Sequence, residues 1–127
     1  MGGTETTKGV RTAAEAIDPR TLDTLEERLG KEMAVRLSVL FREQAAARAV
    51  AIQAACEACD LEALRRVAHD WIADGAAMGA RALADTGRRV EQLAIAGDGR
   101  AFLGSVELVH LAKLVSQALS ARYGEAA

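Results

Sequence analysis

This chain of 127 residues is poor in the groups that would tie it to several broad classes of protein. It has two cysteines, Cys56 and Cys59, too few for a disulfide framework, so a reducing, cytoplasmic setting is expected. It has one proline, Pro19, and no alternating stretch rich in Val, Ile and Thr, which argues against strands. Aromatics make up 3% of residues, and Phe41, Trp71, Phe102 and Tyr123 are scattered rather than grouped as a base-stacking platform. No block of Lys or Arg stands out against a formal net charge of −2, so a nucleic-acid partner is not expected. No apolar run approaches the roughly 18–20 residues of a membrane span, and residues 1–10 lack the apolar centre of a signal peptide.

What remains is rich in Ala, Leu and Val. Half the residues are apolar, enough to build one packed core in a chain of this length. Residues 1–16, with Gly, Thr and Ala and no apolar period, read as a flexible leader. Asp18-Pro19 reads as an N-cap and first helical residue, Leu22, Leu25 and Leu29 as a buried stripe, and Gly30 as a stop. A long helix follows over about 31–59, with Met33, Leu37, Leu40, Phe41, Ala45, Val50, Ile52 and Ala55 inward. Asp60 caps a third over about 61–78, a fourth runs over about 80–96 to the turn Gly97-Asp98-Gly99, and a fifth over about 100–123 ends at Gly124. Four longer helices with short connections predict an all-α, antiparallel up-down four-helix bundle over 17–124, with the short additional N-terminal helix across one end.

The third helix carries the chemistry. At about 100° per residue, Leu64, Val67, Ala68, Trp71, Gly75 and Met78 form a core stripe. His69 falls roughly opposite, beside Ala73 and Ala76, with Arg65 one turn before it and Ile72 at the flank. Solvent faces usually carry long charged side chains, so a clearing of small apolar ones around one histidine suits a docking surface.

From Asp60 through Ala68-His69, then Gly79-Ala80 ten residues on, Leu83 and finally Val90-Glu91, the chain resembles the histidine phosphotransfer (Hpt) family. Ile17-Asp18, the leucine-rich short helix and a phenylalanine near the start of the long helix also fit, so the resemblance spans about residues 17–97. Two positions depart from the family pattern: its lysine three residues after the histidine is Ile72, and the glycine that follows is Ala73.

The resemblance implies a phosphorelay intermediate without kinase activity of its own. His69 would accept a phosphoryl group and exchange it with a receiver-domain aspartate of a response regulator or hybrid histidine kinase. It also implies that Glu91 orients the imidazole through Nδ1. Folding back at Gly79 should bring residues 88–91 toward His69, so Arg88 and Arg65 are candidates for the positive charge that the missing lysine would supply. Ile72, Ala73 and Ala76 would form the docking surface. No metal or cofactor is expected in this chain; Mg²⁺ belongs to the receiver. A monomer is expected. The alternative is a degenerate Hpt-like module that grips a receiver or other signalling protein without being phosphorylated, motivated by Ile72.

The remaining marked residues take structural readings. Cys56-x-x-Cys59 ends a helix instead of opening one after a strand, so both are expected in the core. Trp71 reads as a core anchor. His110 receives no chemistry; it sits beside an apolar stripe of Leu103, Val106 and Leu114, off the main seam of Leu108, Ala112, Val115 and Leu119. That stripe suggests a self-association face.

Overall fold

A computed structural model describes residues 9–124, and among these every regular element is a helix. We number them α1 (Ala13–Ala16), α2 (Pro19–Leu29), α3 (Lys31–Glu57), α4 (Leu61–Ala77), α5 (Arg81–Ile95) and α6 (Arg100–Tyr123). The five expected helices are present with ends displaced by at most two residues, within the fraying that any helix end shows.

The helix starts follow from side-chain capping. Asp18 accepts from Arg20 N at 3.0 Å, Asp60 from Ala63 N at 3.0 Å and Asp98 from Arg100 N at 2.9 Å, each satisfying an amide that the helix cannot. The segment read as a leader departs from that reading where it is described. Thr12 and Glu15 form a capping box around α1, and Ala16 is buried in the core. Residues 1–8 lie outside the described part.

α3 through α6 alternate in direction. Cys56 meets Ser105 (Sγ to Oγ 3.4 Å) and Arg42 meets Ser120 (Nη1 to Oγ 2.8 Å), which sets α3 and α6 antiparallel. α2 lies across the end of the bundle that holds the α4–α5 turn and the C-terminus of α6. At its start Asp18 N bonds Gly79 O at 2.9 Å; farther on, Glu26 accepts from Arg122 Nη2 at 2.9 Å and from the Tyr123 hydroxyl at 2.6 Å. The α4–α5 turn requires glycine at position 79, where φ is +74° and an added Cβ would stand 2.8 Å from Thr21 Cβ and 2.9 Å from Asp18 O.

The core is built on Trp71, fully buried, with the Phe41 ring centroid 5.2 Å away. Arg48 closes the rim of this pair, its guanidinium carbon 4.5 Å from the indole centroid and its Nη1 2.7 Å from Asp74. Leu64, Ala68, Gly75 and Met78 join it from α4 as the stripe predicts, while Val67 is half-buried. On α6 Leu108, Ala112, Val115 and Leu119 are buried as expected.

Several expectations about burial do not hold. Leu29, read as part of a buried stripe, is exposed at the last position of α2, where Leu22 is buried and Leu25 half-buried. Met33, Leu40 and Val50 are exposed, because α3 turns Ala34, Ser38, Phe41, Ile52 and Ala55 inward. The neighbouring helices cover that face, and the apolar side chains at 33, 40 and 50 are left outside it. Cys59 is also exposed rather than in the core, while Cys56 is half-buried. Leu114 is buried, so the outer stripe of α6 is reduced to Leu103 and Val106, with His110 exposed beside them. The sequence reading also underrates α6: by length and composition it is apolar enough to cross a membrane, with a mean hydropathy of 1.2. In the bundle its apolar seam packs against the other helices.

Candidate functional site

The site forms where α4 and α5 run side by side. Their spacing is set at Gly87, where an added Cβ would lie 3.1 Å from Ala68 O and 3.2 Å from Ile72 Cγ1. A larger residue there would be in tighter contact than ordinary packing, so α4 or the Ile72 side chain would have to give by a few tenths of an ångström. One turn farther along α5 is Glu91, and the antiparallel register places it opposite His69.

His69 projects from the outer face of α4 with 65% of its side chain exposed. Its Nδ1 lies 2.8 Å from Glu91 Oε2, and the Glu91 side chain is only 19% exposed. A carboxylate can only accept, so Nδ1–H donates to Glu91 and the lone pair resides on Nε2. The ring is thus held from its inner edge while its outer nitrogen is the nucleophilic one.

Arg65 is the cation beside the pair. Its Nη1 stands 3.8 Å from Glu91 Oε2, the oxygen that already accepts from His69. Its other nitrogens are engaged with Glu62, Nε to Oε1 at 3.0 Å and Nη2 to Oε2 at 2.8 Å. This paired hydrogen bond pulls the Glu62 carboxyl below its usual range and raises the Arg65 guanidinium further, through the bond first and the charge of each partner after it. Sequence reasoning overlooked Glu62, although an acid three residues before an arginine on one helix face is a legible pairing signal.

Arg88 is placed differently. Its Nη1 pairs with Asp85 Oδ1 at 2.8 Å, one turn of α5 from Glu91. It lines a shallow recess with Ala76, Ala84, Asp85, Arg81 and Thr21, toward the α4–α5 turn. The structure therefore brings His69, Glu91 and Arg65 together and leaves Arg88 at the edge of the same face.

The surroundings of the imidazole are low and apolar. Ala73 and Ala76 are exposed. Ile72 is half-buried, its Cγ1 turned into the notch at Gly87. A second large apolar side chain, Ile95, is exposed one turn beyond Glu91. It extends the face on the α5 side, and the sequence reading missed it because the residue ends its helix, where an apolar period has no further members. Among the described residues no group of three or more His, Cys, Asp or Glu is arranged to hold a metal ion.

Comparison with known proteins adds one structural relative. No family model matches the sequence, and the search of curated proteins gives no match. Among solved structures, the chain is similar to histidine-containing phosphotransfer protein B (HptB) from Pseudomonas aeruginosa PAO1. The TM-score is 0.77 at 25% sequence identity, covering 85% of this chain and 94% of that one. The bundle topology, the spacing from Asp60 to Glu91 and this structural match together support the resemblance to the histidine phosphotransfer (Hpt) family.

Proposed function

We propose that this chain is a phosphocarrier in which His69 Nε2 accepts a phosphoryl group and exchanges it with an aspartate of a receiver domain. The observation that carries the reading is the exposed imidazole with Nδ1 bonded to Glu91 at 2.8 Å, because only that arrangement leaves a fixed, accessible lone pair on Nε2.

In the transfer, Nε2 donates its lone pair to phosphorus in line with the bond to the aspartyl oxygen. The P–O bond breaks, its electrons return to the aspartate as carboxylate, and positive charge develops over the imidazole. Glu91 faces the Nδ1–H that shares this charge and stabilises it. The retained Nδ1–H also keeps the ring a good leaving group, so the same contact serves the return transfer. The receiver would settle on Ile72, Ala73, Ala76 and Ile95, the small or apolar side chains of this face. Arg65 and Arg88 are the cations on this face, and of the two Arg65 stands next to the reacting ring. Any Mg²⁺ is brought by the receiver, and nothing in the chain's own part of the reaction calls for a nucleotide.

The test is to incubate the protein with a phosphorylated receiver domain and follow the label. Label on the wild type that is labile to acid and stable to base, and is lost in His69→Gln, supports the reading. A second reading is favoured by Ile72, which stands where the family carries lysine: a module that binds a receiver without accepting phosphate. Absence of label, with receiver affinity unchanged in His69→Ala, selects it.

A further inference from the structure

Glu62 lies in the first turn of α4, two turns before His69, and touches neither the imidazole nor Glu91. It acts on Arg65. The two parallel hydrogen bonds from Arg65 Nε and Nη2, at 3.0 and 2.8 Å, fix the guanidinium plane. Arg66 Nη1 approaches Glu62 from the other side at 3.5 Å, and the positive end of the α4 dipole favours its charge. With two nitrogens of Arg65 held this way, Nη1 is the one left over. It faces the site, 3.8 Å from Glu91 Oε2. That separation is an ion pair but too long for a hydrogen bond, so His69 Nδ1–H keeps its acceptor.

Helical side chains lean toward the N-terminus of their helix, so the His69 ring is directed over the turn that carries Arg65. A phosphoryl group on Nε2 therefore lies within reach of a guanidinium anchored one turn below. Were that anchor absent, Arg65 would close onto Glu91 and compete with Nδ1–H for Oε2.

We propose that Glu62 is a positioning residue that aims Arg65, presenting Nη1 to the phosphoryl oxygens while holding it back from the His69–Glu91 hydrogen bond. This rests on the carrier reading and adds to it the device that replaces the family's lysine. It also favours arginine, whose planar guanidinium can hold Glu62 through two nitrogens and present the third in a fixed direction.

The experiment is a double-mutant cycle on the full chain, with phosphoramidate as donor so that no partner protein is needed. In that reaction the P–N bond of the donor breaks, phosphorus joins His69 Nε2 and ammonia leaves. We expect Arg65→Gln to slow labelling about tenfold and Glu62→Gln about threefold, with the double variant no slower than Arg65→Gln alone. Independently of any phosphorylation, the ¹⁵N signals of the His69 ring should move in Glu62→Gln and should not respond to the same change in the Arg65→Gln background. Equal labelling of Glu62→Gln and wild type, or effects of the two substitutions that simply add, overturns the positioning role while the carrier reading stands. A wild type that accepts phosphate neither from phosphoramidate nor from a receiver overturns the carrier reading. In that case coupled ring signals still support the action of Glu62 through Arg65, and uncoupled ones overturn it.

Discussion

Replacing Glu91 with glutamine tests the site at its most exact point. Gln has the same shape, so the interval of 2.8 Å to His69 Nδ1 can be kept, and the partner that changes is the acceptor's charge. A hydrogen bond to a charged acceptor is worth about 1.5–3 kcal/mol, and a neutral one about 0.5–1.5 kcal/mol. The difference, about 1 kcal/mol, corresponds to roughly fivefold in rate if the charge acts fully in the transition state. The effect is larger if the amide rotates and presents NH₂ to the ring. Nδ1 would then be the acceptor, Nε2 would carry the proton, and the nucleophile would be blocked. Glu91→Ala removes orientation as well and should slow transfer more than tenfold. The assay is the initial rate of label transfer from a phosphorylated receiver to the protein, with the tautomer of His69 read from its ring ¹⁵N shifts. Glu91→Gln should unfold near the wild-type urea midpoint, whereas Glu91→Ala, which removes a side chain only 19% exposed, should lower it. Wild-type transfer rates in both variants would refute the role given to the His69–Glu91 contact, whatever the tautomer.

Three further outcomes follow from the packing and the caps. Gly87→Ala should destabilise the fold by about 1–3 kcal/mol in urea unfolding, since its methyl would meet Ala68 O at 3.1 Å and Ile72 Cγ1 at 3.2 Å. The same change should slow phosphoryl transfer by shifting Glu91 relative to His69. Cys59 is the one non-glycine residue with positive φ among the described residues, at +51°, so Cys59→Gly should stabilise the chain by about 0.5–1 kcal/mol on the same measurement. At the far end of the bundle, the Tyr123 hydroxyl and Arg122 hold the Glu26 carboxyl below its usual range. A carboxylate with a lowered folded pKa stabilises the fold above its unfolded pKa and loses that contribution as pH falls through the folded one. Urea midpoints should therefore drop below about pH 4, and Glu26→Gln should flatten that limb. Tyr123, raised first by burial and then by its bond to Glu26, contributes in the opposite sense, stabilising below its unfolded pKa and losing this as pH rises through the folded one.

Much of the molecule was legible in one dimension because its rules are local. Asp18, Asp60 and Asp98 satisfy amides within three residues of themselves, so helix starts could be read from short sequence signals. The α4 period separates Trp71 from His69 around the helix, and the exposure of the imidazole follows from that angle alone. Even the approach of Glu91 to His69 was predictable in register, since a tight turn at Gly79 pairs residues about equally far from it. On α3 the same reasoning went astray. Apolar residues at 33, 40 and 50 suggested one inward face, but the neighbours cover the face of Ala34, Ser38, Phe41, Ile52 and Ala55, and nothing local to α3 records which side those neighbours take.

Tertiary structure alone decided which cation stands beside the His69–Glu91 pair. Arg65 and Arg88 are equivalent as letters, each with an acid three residues before it on its own helix. In space Arg88 turns to Asp85, while Arg65 is gripped by Glu62 and presents Nη1 toward Glu91. That outcome depends on the distance and rotation between α4 and α5, which Gly87 sets through its contact with Ala68 and Ile72. Sequence determined which residues could face one another; side-chain reach across a packed interface, a property of both helices jointly, determined which of them meet.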